Sequence, residues 1–333
     1  MKILAVTSLK VRKKTDVYTF FNLPGGIMKT LVSIVGPTAI GKTKVSITVA
    51  QHLNTEIISA DARQFYRGMR IGTAAPTDAQ LSLVRHHFVN EIPVTTQFSA
   101  GDFAKVALSK LETLFITHDA VVLTGGSGLF IKALLKGLDV FPPVSKEVVD
   151  QLNALYEMEG IGVLQAMLHE KDRPYYELVD RSNPQRLLRA LAVCISSGKR
   201  YSEFRKSASA SRDFNSLLIG LHTDRKQLYA RIDARVDQMM ADGLLAEVMA
   251  LSEYAGENAL QTVGYRELFS HLRNEISLDQ AVTLIKQHSR NYAKRQMTWF
   301  RKEEDITWFE PDDETGILSF IDMKVLKKKF PAR

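Results

Sequence analysis

The sequence contains little cysteine and no long hydrophobic run, and each shortage excludes a class of protein. Cys194 is the only cysteine among 333 residues, which excludes an internal disulfide and any zinc or iron–sulfur centre built from several thiolates of one chain. No apolar run approaches the ~20 residues that a transmembrane helix needs. Ile3–Val6 is also far shorter than the apolar core of a secretory signal. We therefore expect a cytoplasmic protein without a membrane partner.

Internal repeats and low-complexity segments are also missing, and the remaining composition is that of an ordinary globular protein. Hydrophobic residues account for 45% of the chain and charged residues for 24%, a balance that is too apolar for a disordered protein. At roughly 150 residues per domain, the length corresponds to about two domains.

The net charge of +7 originates at the two ends of the chain. Residues 1–27 carry a net charge of +4 and residues 322–333 another +4, so the residues between them sum to −1. A nucleic-acid partner must therefore be recognised by a local patch of charge. Segment 286–302 contains six cations and no acid, and we call these cations the basic stripe: Lys286, Arg290, Lys294, Arg295, Arg301 and Lys302. The first three are spaced four apart, on one face of a helix. A solvated helix face is the alternative interpretation.

Short apolar runs alternate with helical spacing from Leu31 onward. This pattern predicts strands at Leu31–Val35, Glu56–Ser59, Ala120–Leu123 and Leu217–Leu221. It predicts helices at Thr43–His52, Asp102–Phe115 and from Asp224 to about Leu251. Such alternation is typical of an α/β fold with a parallel sheet flanked by helices, in which ligands bind at the carboxyl ends of the strands.

A glycine-rich loop between the first predicted strand and helix matches the phosphate-binding pattern G-x-x-x-x-G-K-[ST]. Its residues are Gly36, Pro37, Thr38, Ala39, Ile40, Gly41, Lys42 and Thr43. Backbone N–H groups and the helix N-terminus bind phosphate oxygens, the lysine supplies a cation, and the Thr43 hydroxyl is a candidate Mg²⁺ ligand. The loop predicts binding of a diphosphate or triphosphate without saying which.

A carboxylate is missing where nucleotide-hydrolysing proteins with this loop commonly place one. The apolar strand Val121–Leu123 runs into Thr124-Gly125-Gly126-Ser127 with no acid at its end. This disfavours a motor or a switch. A small-molecule kinase stays open, since such enzymes vary in the acid they use.

Three parts of the chain interrupt or flank the predicted core. Phe141-Pro142-Pro143 ends the alternation, and residues 144–210 are mostly of helical character. We predict a P-loop-type core formed by residues 28–140 and 213–309, an inserted all-helical subdomain at 141–212 and a helical C-terminal part. We further expect residues 1–27 to be a loosely ordered extension and residues 310–333 a basic tail.

Asp61 lies just past the end of the second predicted strand, at the sheet edge that carries the phosphate loop. A carboxylate there can be a general base, a magnesium ligand or a turn former. The histidines His52, His86 and His87 are expected on the surface or in loops, since no metal-ligand spacing surrounds them. Cys194 is expected to be a buried apolar side chain.

Several sequence blocks, in one order, resemble the tRNA dimethylallyltransferase family. They cover Gly36 to Arg301, which is 266 of 333 residues. They are the phosphate loop, Asp61 with Gln64 and Tyr66, Gly68-Met69, Ile71–Ala74, Gly125–Ser127, Asn183–Leu187 with Arg189–Leu191, Ser197–Lys199, Arg231-Ile232, Arg235-Val236, Met239, Val263–Glu267, Tyr292–Gln296 and Thr298-Trp299.

The resemblance implies transfer of a dimethylallyl group from dimethylallyl diphosphate to N6 of the adenosine 3′-adjacent to the tRNA anticodon. It implies Mg²⁺ as cofactor, held in part by Thr43, and diphosphate as leaving group. Asp61 would be the general base, and Ser127 would donate to the oxygen that bridges carbon and phosphorus. Arg235, with Thr38 and Lys42, would stabilise the developing negative charge.

The resemblance also implies a set of contacts to the anticodon stem-loop. They are Asp61, Ala62, Arg63, Gln64, Gln185, Arg186, Leu187, Leu188, Arg189, Gln261, Val263, Gly264, Tyr265, Arg266, Lys294 and Arg295, with Phe65 beside the extruded base. The chain departs from the family in Ala62, which replaces serine, and in Ser127, which replaces threonine. We expect a monomer.

Three alternative functions remain. A prenyltransferase of free adenine nucleotides would need neither the basic stripe nor the cluster at residues 185–189. A P-loop small-molecule kinase would consume ATP in the presence of its acceptor. A catalytically silent RNA-binding protein would bind tRNA without turnover.

Overall fold

The computed structural model describes residues 28–206 and 210–326. The chain divides into two compact units, with boundaries after Leu135 and after Ser211. The larger unit contains the chain before the first boundary and after the second, and the smaller unit contains Lys136–Ser211. The expectations for residues 1–27, and for the last part of the proposed basic tail, lie outside the described residues.

The larger unit contains a parallel sheet, as the sequence predicts. Its strands within the described residues are β1 (Thr30–Val35), β2 (Ile57–Ser59), β3 (His86–His87), β4 (Ala120–Gly125), β5 (Asn215–Leu221) and β6 (Ile306–Phe309). They lie in the order β3-β2-β4-β1-β5-β6, and all neighbouring pairs are parallel. Every residue of β1 and β4 is buried, which explains why these strands are mostly apolar, with Thr30, Ser33 and Thr124 as buried polar exceptions, rather than alternating.

Helices of the larger unit cover both faces of the sheet. In chain order the helices are α1 (Lys42–His52), α2 (Asp78–Leu83), α3 (Ala100–Thr117), α4 (Gly128–Lys136), α5 (Lys146–Glu159), α6 (Ile161–Lys171), α7 (Arg173–Leu178), α8 (Pro184–Ser197), α9 (Tyr201–Phe204), α10 (Arg225–Ala241), α11 (Leu244–Ala250), α12 (Tyr265–Leu272), α13 (Leu278–Phe300) and α14 (Glu314–Ile321). Short 3₁₀ turns lie at Ser252–Tyr254 and Asn258–Leu260, and a π-helical turn at Asp322–Leu326.

Side chains of β1 alternate between two apolar layers, as the period of a strand requires. Val32 and Ile34 pack in one cluster with Val49 of α1. Leu31 and Val35 pack in the other with Phe103 of α3. A third cluster joins the segment after β2 to α10–α13. The α/β expectation is confirmed.

The predicted long helix from Asp224 to Leu251 is two helices. The chain leaves α10 at Asp242 and enters α11 through Gly243, which has φ 98°. Glycine adopts this left-handed conformation without the steric cost that other residues incur, so it ends one helix and starts the next at a new angle.

The segment expected as a basic tail begins with part of the core. Ile317 and Ile321 of α14 are buried in the same apolar layer as Val32 and Ile34. Their spacing of four places both on one helical face. The expectation of a tail was based on the net charge of the chain terminus, which does not indicate this short amphipathic helix. The short strand β6 was also not predicted.

Two expectations about single residues have different outcomes. Cys194 is buried, as expected. The surface expectation is wrong for His87, which lies in β3 with 6% of its surface exposed. Its Nε2 lies 2.6 Å from Oε2 of Glu56, so the ring is a satisfied polar group at the edge of the sheet.

None of the helices in the described part of the chain has the length and apolarity needed to cross a bilayer.

The smaller unit consists of α5–α9 within its described residues. Its core includes Leu164, Leu168 and the inward face of α8. Asp172 is fully buried there. Its carboxylate accepts hydrogen bonds from the Tyr175 and Ser202 N–H groups at 3.1 and 2.7 Å, which fastens α7 to α9.

Candidate active site

The loops at the carboxyl ends of β1, β2 and β4 lie at one edge of the sheet, where parallel α/β folds bind ligands. The first two loops line a cavity of about 1140 Å³, together with the ends of β2 and β4 and residues from α10, α13 and the segment 261–266. All residues of the phosphate loop from Thr38 to Thr43 lie on its wall. The structure therefore brings the predicted phosphate loop and the Asp61 loop to one space.

Lys42 gives the phosphate loop an anion-binding character. Its Nζ donates to the Pro37 carbonyl at 2.8 Å. Burial lowers the pKa of Lys42 from its usual 10.5 to about 8, the negative charge of Asp61 opposes this shift, and the positive charge of Arg235 adds to it. A bound phosphate would supply the negative charge that this desolvated ammonium lacks.

Arg235 of α10 also lies on the cavity wall. It is half-buried, and burial lowers the pKa of its guanidinium. Arg231, one turn earlier, is exposed and pairs with Asp312 at 3.4 Å. The interpretation of this helix face as merely solvated therefore fits Arg231 and does not fit Arg235.

Asp61 is held on the cavity wall by its own turn. One carboxylate oxygen accepts from the Arg63 N–H at 3.0 Å, and the Ala62 N–H donates to the Ser127 hydroxyl at 2.9 Å. Asp61 is thus a turn former and also a carboxylate on the cavity wall. Ser127 is not among the residues that line the wall, and its contact with the Ala62 N–H positions the backbone next to Asp61.

Arg63 and Gln64 tie the same turn to the rest of the larger unit. The Arg63 guanidinium donates to the Asn258 and Ala259 carbonyls at 2.7 and 3.2 Å, and burial lowers its pKa. Both ends of the Gln64 amide are bonded within the protein, to the Ser59 hydroxyl and to two carbonyls of segment 73–74. These two side chains shape the cavity wall.

Phe65 does not reach the cavity. It is 1% exposed, and its ring lies 5.1 Å from that of Phe98 and 5.5 Å from that of Phe103. The side chain is part of the apolar layer under the sheet, so the expected contact with an extruded base is wrong for Phe65.

Glu247 of α11 organises the segment after β2, and sequence reasoning missed it. Its carboxylate accepts from the N–H groups of Arg70, Ile71 and Gly72 at 2.8–2.9 Å and from the Tyr265 hydroxyl at 2.6 Å. Burial, followed by the Glu247 charge, raises the pKa of Tyr265. Tyr265 is completely buried, so its phenol is occupied inside the protein, whereas Gln261, Val263 and Arg266 line the cavity. The neighbouring Gly264 N–H donates to Glu267 at 2.8 Å.

Helix α13 lines the site with four polar residues, Ser289, Tyr292, Arg295 and Gln296. Burial, and after it the negative charge of Asp61, raises the pKa of Tyr292 to about 12, while a hydrogen bond with Ser127 acts in the opposite direction. The Gln296 amide accepts from the Thr38 N–H and donates to the Gly126 carbonyl, both at 2.9 Å. Two sequence signals link Tyr292 and Gln296: their helical spacing of four, and the block Tyr292–Gln296 that resembles the family.

Comparison with known proteins identifies this arrangement. Residues 64–303 match the family model described as IPP transferase. The tRNA dimethylallyltransferase of Christiangramia forsetii is 47% identical over 296 residues, which cover 89% of this chain and 98% of that protein. The chain belongs to the IPP transferase family. A second relative, tRNA dimethylallyltransferase 1 of Phocaeicola vulgatus, is 45% identical over 292 residues, with 88% of this chain and 97% of that protein covered.

Solved structures of IPP transferases have the same fold. The full-length tRNA isopentenylpyrophosphate transferase of Bacillus halodurans aligns with a TM-score of 0.68 at 33% identity, covering 90% of this chain and 98% of that one. A eukaryotic dimethylallyltransferase acting on tRNA aligns with a TM-score of 0.72 at 23% identity, covering 90% of this chain and 77% of that one. The second likeness supports the fold alone.

The basic stripe of this IPP transferase is partly neutralised. Lys286 Nζ lies 2.6 Å from Asp237, and Arg290 lies 2.5 Å from Asp233, both acids on α10. The lack of an acid within the segment itself therefore does not leave these two cations unpaired, because the neighbouring helix supplies their counter-ions. Lys294 and Arg295 are exposed, and the Arg295 guanidinium lies 5.7 Å from the centre of the Tyr292 ring.

The cluster at residues 185–189 lies in the smaller unit and divides into two kinds of side chain. Gln185, Arg186 and Arg189 are exposed. Leu187 is completely buried and Leu188 is 8% exposed, both in the core of that unit. The polar members can therefore meet a ligand, and the two leucines support the helix that carries them.

The family's use of a divalent metal agrees with the donors on the cavity wall. The described residues contain no group of three or more His, Cys, Asp or Glu side chains placed to hold a metal. Thr43 and Asp61 nevertheless offer oxygen ligands beside the phosphate loop. This donor set fits an ion such as Mg²⁺, which keeps several waters and binds largely through substrate phosphates.

Proposed function

We propose that this IPP transferase transfers a dimethylallyl group from dimethylallyl diphosphate to N6 of the adenosine 3′-adjacent to the anticodon of tRNA. The single observation that carries the proposal is the cavity in which a cationic phosphate loop and the Asp61 carboxylate lie together. Curated relatives that are 41–47% identical are named tRNA dimethylallyltransferases, which supports the same reaction.

The phosphate loop is suited to the departing group. The allylic C–O bond breaks, and its electron pair leaves with diphosphate. Lys42, Arg235 and the N–H groups at the start of α1 would stabilise this negative charge. Mg²⁺, held by Thr43 and the diphosphate oxygens, would supply further charge neutralisation. Because no phosphate is hydrolysed, the reaction explains why the strand end at residues 124–127 carries no acid.

Asp61 is suited to the nucleophile. The lone pair of adenine N6 is delocalised into the ring, so the amine forms a C–N bond effectively only if it loses a proton as it attacks. The Asp61 carboxylate accepts that proton. Its turn is fixed by the Arg63 N–H and by the Ala62–Ser127 contact, which keeps the base at the cavity wall.

The nucleoside has to leave the stacked anticodon loop to reach Asp61. We propose that cavity-wall residues receive it and that exposed polar residues hold the surrounding RNA. The wall set is Ala62, Gln261, Val263 and Arg266, and the exposed set is Gln185, Arg186, Arg189, Lys294 and Arg295. We further propose that the enzyme works as a cytoplasmic monomer.

One incubation tests the function. The protein, Mg²⁺ and isotopically labelled dimethylallyl diphosphate are mixed with unmodified tRNA, and the nucleosides are analysed by mass. We expect label on one adenosine per tRNA with release of diphosphate. In a parallel arm, AMP replaces tRNA as the acceptor. A third arm contains ATP without the allylic donor. Product only on AMP, consumption of ATP, or tRNA binding without any product would contradict the proposal.

A further inference from the structure

The side-chain amide of Gln296 lies between the two halves of the candidate active site. Gln296 is 5% exposed. Its Oε1 accepts from the Thr38 N–H in the phosphate loop, and its Nε2 donates to the Gly126 carbonyl in the loop after β4, both at 2.9 Å. One buried side chain thus joins two loops that are far apart in the sequence.

The loop after β4 leads directly to Asp61. Gly126 precedes Ser127, whose hydroxyl accepts from the N–H of Ala62, the residue after Asp61. A Cβ atom on Gly126 would overlap Nε2 of Gln296, so glycine is required for the close approach. A continuous set of contacts therefore runs from the phosphate loop through Gln296 to the general base.

An amide is the side chain that this position requires. It places one acceptor and one donor at the same end of a chain long enough to reach both loops. Ionised glutamate has acceptors only and would face the Gly126 carbonyl without a proton to donate. Methionine has nearly the same shape but leaves a buried N–H and a buried carbonyl without partners, which is costly.

We propose that Gln296 is a positioning residue of the transfer reaction, fixing the distance between the phosphate loop and the Asp61 turn. This inference rests on the proposed function. Gln296 acts through Thr38 and Gly126, so its loss should impair the reacting geometry more than the capture of tRNA. A misplacement of about 1 Å can cost about 100-fold in rate. We therefore expect kcat to fall about 10–100-fold while the KM for tRNA stays within about twofold.

The test compares Gln296→Met with Gln287→Met, which changes an exposed residue of the same helix. Steady-state kinetics give kcat and the KM for tRNA, and calorimetry with inorganic diphosphate and Mg²⁺ gives the affinity of the phosphate loop. We expect diphosphate to bind about tenfold more weakly to Gln296→Met, since the loop is less preorganised, and no change in Gln287→Met. If Gln296→Met fails to fold, Gln296→Glu replaces it, because glutamate keeps the size and the acceptor for Thr38.

A general loss of stability has a different signature. Ile321→Ala on α14 removes a buried side chain that does not line the cavity, and in this variant kcat per folded molecule should stay native. Equal kcat values, or equal diphosphate affinities, in the native protein and the Gln296 variant would overturn the positioning role. A native protein that binds diphosphate but modifies no tRNA would instead overturn the proposed function, and the diphosphate titration would still decide the role of Gln296.

Discussion

Raising the pH through the pKa of Lys42 should weaken the binding of diphosphate. Burial lowers the pKa of this ammonium to about 8. Bound diphosphate supplies negative charge beside it and thereby raises the pKa again, so binding takes up a proton when the lysine starts neutral. The affinity for diphosphate is therefore unaffected by the titration of Lys42 below a pH of about 8, and it falls as the pH rises above that value.

The magnitude follows from the size of the shift. At pH 9, one unit above the pKa of about 8, roughly 90% of the lysine is neutral, and the affinity should fall about tenfold, or ~1.4 kcal/mol. If the bound ligand restores the usual pKa of 10.5, the loss of diphosphate affinity levels off at about 300-fold, or ~3.4 kcal/mol, at higher pH.

Calorimetry of inorganic diphosphate between pH 6.5 and pH 9.5 measures this dependence, and Lys42→Arg is the matched control. Arginine stays charged throughout, so the titration of diphosphate itself is common to both proteins and cancels in the ratio of their affinities. At pH 8 the native protein should also take up about half a proton more than Lys42→Arg on binding, measured from buffers of different ionisation enthalpy. Parallel pH profiles of the native protein and Lys42→Arg would refute the reasoning.

Three further predictions concern the base, the RNA and the loop after β2. Asp61→Asn should reduce transfer at least 100-fold with tRNA affinity within threefold, measured by filter binding, because only the proton acceptor is lost; a parallel loss of affinity would contradict that role. Lys294→Glu with Arg295→Glu should weaken tRNA binding about tenfold or more and lower the salt slope by about two, with diphosphate binding unchanged; an unaltered slope would remove both residues from the RNA-binding surface. Glu247→Ala should lower the free energy of unfolding by about 3 kcal/mol or more in urea, because three N–H groups and a phenol lose their acceptor; a loss below ~1 kcal/mol would show that water replaces it.

The chemistry-bearing residues that sequence reasoning identified belong to short local patterns. The phosphate loop is defined by eight consecutive residues between an apolar run and a helical one, and Asp61 lies two residues after the next strand. Residues at the carboxyl ends of parallel strands meet at one sheet edge whatever the rest of the chain does. The meeting of Lys42 and Asp61 could therefore be predicted without coordinates.

The supporting contacts could not be predicted, because they join residues that are distant along the chain. Gln296 bonds Thr38 across 258 positions, and Glu247 binds three N–H groups about 175 positions away. Hydrogen bonds to backbone groups leave no residue pattern at the partner position, so nothing in the sequence of segment 70–72 indicates that a carboxylate is needed.

Local sequence also gave an incomplete account of charge. The basic stripe has no acid within its own segment, and helical spacing correctly grouped its cations. Packing of α10 beside α13 nevertheless brings Asp233 and Asp237 to two of those cations, since the field at a side chain depends on every neighbouring element.

The sequence by itself determined the kind of sheet, the anion-binding loop, the candidate base and the family, because each is written in contiguous residues or in blocks of fixed order. The tertiary structure alone decided which polar side chains are free for a substrate and which, like Gln64, Tyr265 and Gln296, are bonded inside the protein. The physical reason is that each polar side chain can form only a few hydrogen bonds, and the fold determines which partners they join.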